Sequence, residues 1–128
     1  MALVYNYSKT LQEDGMTDNY IEIPTEEFTD KVIEASQAQL VIVNFSVPQS
    51  NTCQIQEPEL EAVSKVYEGR IAFVKVNVDG KEEFTNQWHV SGVPTLLFFR
   101  NEKEVYRIEG VVMRERLRRQ VEGVLLAN

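Results

Sequence analysis

The chain has 128 residues, 43% of them hydrophobic and 26% charged, with a formal net charge of −7. That length fits one domain able to bury an ordinary core without metal or disulfide staples. The acidic balance argues against general nucleic-acid binding, which needs clustered Lys and Arg against phosphates. The single cysteine, Cys53, excludes an intramolecular disulfide and therefore a disulfide-built secreted scaffold; a reducing, cytoplasmic setting is expected. Met1-Ala2-Leu3-Val4-Tyr5 has no basic region leading into a long apolar run, so no signal peptide is expected. No apolar stretch approaches the roughly 18–20 residues that span a bilayer. Asn6-Tyr7-Ser8 and Asn44-Phe45-Ser46 fit the glycosylation pattern but carry no weight without an export signal.

Residues 1–19 are polar with scattered aromatics and form an N-terminal extension, either a disordered arm or an added strand through Leu3-Val4-Tyr5. Tyr20-Ile21-Glu22-Ile23 alternates and reads as a short strand. Pro24-Thr25-Glu26-Glu27 opens a helix with acids in its first turn, and Phe28, Val32 and Ala35 recur at helical spacing. Leu40 to Phe45 is a nearly continuous apolar run, as in strands buried on both faces of a parallel sheet. After the polar stretch from Pro48 to Thr52 comes a helix with Ile55, Leu60, Val63 and Tyr67 on one face; Pro58 inside it removes a backbone donor and should kink it. Ile71 to Val78 is a second buried strand, Lys81 to Trp88 a short helix or turn, and Thr95 to Phe99 a third buried strand. Asn101-Glu102-Lys103 turns the chain back into Val105–Ile108 as a hairpin. Met113, Leu117, Val121, Val124 and Leu125 mark a closing amphipathic helix. Its basic cluster, Arg114, Arg116, Arg118 and Arg119, reads as a solvated face with Glu115–Arg119 and Arg118–Glu122 pairs rather than an anion site. Strands alternating with helices imply an α/β domain with a parallel sheet, to which the final hairpin adds an antiparallel edge.

Three stretches carry a more specific signal. Val41-Ile42-Val43-Asn44-Phe45 leads into Ser50-Asn51-Thr52-Cys53 at the start of a helix, Pro58 follows within that helix, and Ser91-Gly92-Val93-Pro94-Thr95 precedes the third strand. The sequence resembles the thioredoxin family over residues 20–128. In that family Trp-Cys-Gly-Pro-Cys opens the second helix and a Val/Ile-Pro-Thr segment faces it. The resemblance implies a three-layer α/β/α fold, a central mixed sheet of about five strands flanked by four helices. It also implies a cis Val93–Pro94 bond and a groove in which the Val93 backbone pairs with an extended peptide.

The departures bear on chemistry. The family's attacking cysteine maps to Ser50, whose hydroxyl cannot form a disulfide; dithiol exchange needs two sulfurs. Ser50 is better suited to cap the helix. Cys53 maps to the resolving cysteine and reads as a small buried residue or, alternatively, as a reactive thiol near a helix N-terminus. Asn44 stands where the family often has a buried Asp, and it can hydrogen-bond but cannot accept a proton as a base. Ser46 and Gln49 replace two tryptophans, and Lys75 matches a lysine near the buried acid or is simply a charge at the sheet end. His89 is the single histidine and reads as a surface or partly packed residue; Trp88 reads as core or rim. The chain calls for no cofactor and no metal.

The expected function is a protein- or peptide-binding module without dithiol-disulfide reductase activity, its groove formed by Gln49, Ser50, Val93 and Pro94. The alternative is a monothiol oxidoreductase in redox homeostasis, with Cys53 catalytic and an external thiol supplying the second sulfur. The expected partner is a protein or extended peptide, not a nucleic acid or a membrane.

Overall fold

Strand β2 (Leu40–Ser46) is buried at all seven positions and has a neighbour on each side. The computed structural model describes residues 19–128. The expectations for Leu3-Val4-Tyr5 and Asn6 lie outside these residues. On one side of β2 lies β3 (Ile71–Asn77), in parallel, and beyond it β1 (Tyr20–Ile23), also parallel. On the other side lie β4 (Thr95–Arg100) and β5 (Lys103–Glu109), each antiparallel to its predecessor, which completes a mixed sheet in the order β1-β3-β2-β4-β5.

The third buried strand corrects the expectation of a parallel sheet with only an antiparallel edge, because β4 itself runs against β2. The reason is the length of the connection. Strand β3 ends beside Ser46, and β4 begins beside Phe45, at the same end of the sheet. Helix α3 (Glu82–Gln87) has 6 residues and rises about 9 Å, too little to carry the chain back along a strand of roughly 23 Å. Without a crossover the next strand must run the other way. Asn101 and Glu102 then close the β4–β5 hairpin with positive φ at both positions, 55° and 70°, which matches the twist of a two-residue hairpin turn.

Helices cover both faces and give the three layers. Over one face pack α2 (Asn51–Val66) and α4 (Arg114–Ala127), enclosing Tyr20, Ile42, Leu60, Phe73, Phe98 and Leu117. The other face buries Val43, Phe45, Val74, Val76 and Phe99 under α3 and under α1, the segment from Thr25 to Gln37 that contributes Phe28. Helix α1 is less regular than its spacing predicts: a 3-10 turn (Thr25–Glu27), a wide π-helical stretch (Thr29–Glu34) and a second 3-10 turn (Ala35–Gln37). Phe28 from this segment meets Trp88 at 5.0 Å and Phe84 at 5.1 Å between ring centroids, so Trp88 is part of an aromatic cluster. His89 is exposed, with φ 56°.

The face that α2 buries differs from the one its apolar residues suggest. Ile55 is 51% exposed, whereas Gln56 is fully buried. A buried amide is tolerated only when its polar atoms are paired. Gln56 Nε2 donates to the Val112 carbonyl at 2.9 Å, and the Val112 N–H donates to Gln56 Oε1 at 2.8 Å. One turn on, Glu59 accepts from the Arg114 backbone N–H at 2.7 Å and from its guanidinium at 3.0 and 3.1 Å. These two side chains pin the entrance of α4 to α2. The basic cluster on α4 is therefore only in part a solvated face: Arg114 serves Glu59, and Glu122 accepts from the Tyr67 hydroxyl. Neither Glu115–Arg119 nor Arg118–Glu122 is among the ion pairs of the described residues.

Two predictions follow from this pin. Gln56→Leu orphans the N–H and C=O of Val112 and should lower unfolding free energy by about 2–6 kcal/mol, at roughly 1–3 for each unpaired group; urea denaturation measures it. The Arg114 guanidinium, with its backbone N–H, holds the Glu59 carboxyl below the usual range. A depressed carboxylate adds stability above its unfolded pKa and loses it as pH falls through the folded value. Glu59→Gln should therefore destabilise at pH 7, and its deficit should shrink below about pH 4, where the unfolded carboxyl takes up its proton. Denaturant midpoints at pH 7 and pH 3 test this.

Candidate functional site

Strand β2 delivers the chain to a tight loop at the end of the sheet. The Ser50 N–H donates to the Val47 carbonyl at 3.1 Å, and Ser50 then takes the cap position of α2 with extended backbone, φ −77° and ψ 128°. Its Oγ accepts from the Cys53 N–H at 3.3 Å and lies 3.0 Å from Thr52 Oγ1. The side chain is thus engaged in satisfying the first turn of the helix, where orphan donors would otherwise remain. Gln54 Nε2 folds back to the Pro48 carbonyl at 3.0 Å, and Gln49 Nε2 reaches Asp79 Oδ2 at 3.3 Å.

Cys53 is 1% exposed. Its Sγ sits 3.5 Å from the Val47 backbone N, whose N–H points to it. Facing this turn is Gly92-Val93-Pro94, with a cis Val93–Pro94 bond. Thr95 Oγ1 donates to the Gly92 carbonyl at 2.7 Å and the Gly110 N–H to the Pro94 carbonyl at 2.9 Å, which fixes the segment to the sheet. Thr52 Oγ1 approaches the Val93 carbonyl at 3.4 Å, so the two halves meet. Gln49, Asn51 and Thr52 are exposed, Ser50 and Val93 half-buried, and Pro94 buried. The structure therefore brings Gln49, Ser50, Cys53, Val93 and Pro94 to one end of the sheet.

Behind the motif lies a cleft of about 250 Å³ lined by Cys53, Ser46, Gln54, Glu57, Lys75 and Glu22, among others. Here the structure adds what the sequence reading missed. Glu57, one helical turn beyond Cys53, accepts from Lys75 Nζ at 2.8 Å on Oε1, and from the Tyr20 hydroxyl at 2.7 Å and Asn44 Nδ2 at 3.3 Å on Oε2. Asn44, 1% exposed, also donates to the Tyr20 oxygen at 3.1 Å, and its Oδ1 has no partner. Lys75 lies 5.6 Å from the centroid of the Tyr20 ring. Burial, then the Glu57 charge, push the Tyr20 phenol far above its ordinary range, so it stays a donor. Burial, and after it Glu57, also raise the Glu61 carboxyl. Lys75 is thus no free charge at a sheet end. The available sequence signal for Glu57 was its spacing: a carboxylate at i+4 from Cys53 shares that residue's helix face. Among the described residues no group of His, Cys, Asp and Glu is placed to hold a metal ion, and no helix is long and apolar enough to cross a membrane.

Comparison with known proteins agrees with this fold. The family model "Thioredoxin" matches residues 19–123. A probable thioredoxin-2 of Caenorhabditis elegans is 35% identical over 102 residues, covering 80% of this chain and 69% of that protein. A thioredoxin of Buchnera aphidicola is 29% identical over 103 residues, covering 80% of this chain and 93% of its own length. The chloroplastic thioredoxin X of Arabidopsis thaliana is 31% identical, and the match spans 57% of it. With the family model matching most of the chain and the fold in agreement, the chain belongs to the thioredoxin family.

Proposed function

We propose that this protein is a thioredoxin-fold binding module for an extended protein segment and does not perform dithiol-disulfide exchange. The observation that carries the reading is Ser50, whose oxygen caps α2 at the position facing Val93-Pro94, in a chain with one cysteine. Exchange needs one thiolate to attack and a second to resolve the mixed disulfide. The main-chain groups of Val93 and the exposed side of the Gln49–Cys53 turn need no sulfur to receive a strand, in the manner of β-strand addition. The partner is a protein or extended peptide, met in a reducing, cytoplasmic setting in which a lone thiol stays unpaired.

A second reading, monothiol exchange through Cys53 with an external thiol, is favoured by one observation: the cleft that Cys53 lines also holds the Glu57–Lys75 pair. Against it stands the burial of the thiol. Capture of immobilised extended peptides separates the two. In the module reading, Cys53→Ala binds as the wild type does, because the sulfur makes no contact with the peptide, and Thr52→Trp, which fills the space beside Val93, loses at least tenfold in affinity. Peptides retained by Thr52→Trp and lost with Cys53→Ala would reject the module and favour monothiol chemistry.

A further inference from the structure

Helix α3 ends at Trp88, and the chain leaves it through His89 with φ 56°, the left-handed region that favours glycine. The turn is closed by the His89 N–H on the Asn86 carbonyl at 3.1 Å and the Val90 N–H on the Thr85 carbonyl at 2.9 Å. A residue with a side chain persists in this region where its surroundings hold it there. The hold comes from the edge strand β5. Arg107 stands opposite Leu97 in the β4–β5 register, so it shares the face that α3 covers. Its Nη1 donates to the His89 carbonyl at 2.8 Å and its Nη2 to the Trp88 carbonyl at 2.9 Å. Glu104 aims the guanidinium, accepting from Nε at 2.7 Å and from Nη2 at 2.9 Å, and Glu109 lies 3.8 Å from Nη1. At the far end of the segment the Gly110 N–H donates to the Pro94 carbonyl at 2.9 Å. Residues 88–94 are thus tied to β5 and the residue after it at both ends, with the exposed Ser91 and Gly92 and the half-buried Val93 between the ties.

We propose that Arg107 is a positioning residue for the peptide groove: by holding the Trp88 and His89 carbonyls it fixes the segment in the form whose Val93 backbone receives an extended strand. This deepens the module reading, on which it rests, by naming what presets the receiving edge. The rigid fork of a guanidinium can engage two carbonyls and a carboxylate at once, which a lysine ammonium does not reproduce. Presetting matters because apparent affinity falls in proportion as the receptive form is less populated.

Two readouts on the full chain test this: amide hydrogen exchange over residues 88–93, and capture by an immobilised array of unstructured peptides of mixed sequence. Arg107→Met removes both ties and keeps an apolar stem. Exchange over 88–93 should accelerate while that of β2 stays as in the wild type. Capture of the wild type's peptides should weaken about fivefold, the loss expected when the receptive form falls to about a fifth. Arg107→Lys, which keeps the charge without the fork, should fall between. Adding His89→Gly to Arg107→Met should bring capture back to within about twofold of wild type, because glycine takes the left-handed turn without the Cβ cost. A general loosening of β5 would not be repaired at His89, so absence of that recovery overturns the proposal. Unchanged exchange over 88–93, or unchanged capture, in Arg107→Met overturns it as well. If Arg107→Met does not fold, Arg107→Lys decides by the same two readouts: faster exchange with weaker capture supports the proposal, and no change in either overturns it. The two failures are distinct. Equal capture by wild type and variant leaves the module without this positioning residue, whereas a wild type that captures no peptide removes the module and this inference with it.

Discussion

The burial of β2 on both faces and along both edges is the constraint from which the rest of the structure follows. A strand enclosed in this way tolerates only apolar side chains or paired polar ones, and all seven of its residues are buried. Its neighbours β3 and β4 must cover its edges, and helices must cover its faces. Everything at the candidate site hangs from the end of this strand. Its continuation is the loop that Ser50 closes. The partner strand β4 starts there with Pro94 just before it, and β3 ends there with Lys75 two residues earlier. The functional geometry is therefore a consequence of where the sheet terminates.

The one polar residue in the middle of β2 connects the core to the site. Asn44 spends its amide hydrogens on Tyr20 and Glu57 and so helps to fix a carboxylate that α2 contributes. A neutral amide at this depth avoids the cost of burying a charge, and the charge instead sits nearer the surface, paired with Lys75. The carboxylate–ammonium pair lies in the cleft that Cys53 lines, in a chain with one cysteine. The fold positions this pair through strand pairing and helix phase, and the same packing leaves Gln49, Asn51 and Thr52 of the motif turn exposed.

Much of this was legible in the sequence. The apolar runs from Leu40 and from Thr95 read as buried strands because enclosed strands carry no polar alternation. The Val93-Pro94-Thr95 stretch and the Ser50-Asn51-Thr52-Cys53 turn read as one site only through the resemblance to the thioredoxin family, in which the two segments face each other. What was not legible depends on pairing between distant residues. The direction of β4 is set by the shortness of α3, not by any pattern within β4. Gln56 reads as surface until its amide meets Val112, and Ile55 reads as core until the helix phase turns it outward. Glu57 lies in the polar run Gln56-Glu57-Pro58-Glu59, which has the composition of an exposed helix turn. Only the tertiary placement of Tyr20, Asn44 and Lys75 makes it the centre of a hydrogen-bond network.

The central claim is that a family fold with a serine at its motif tip retains the surface but not the exchange chemistry. Reduction of insulin by dithiothreitol, followed by turbidity, tests it most directly, because the assay reports turnover of a protein disulfide. The account predicts a rate equal to that of dithiothreitol alone across micromolar protein concentrations. A rate that rises in proportion to the protein, and that Cys53→Ala abolishes, would contradict it.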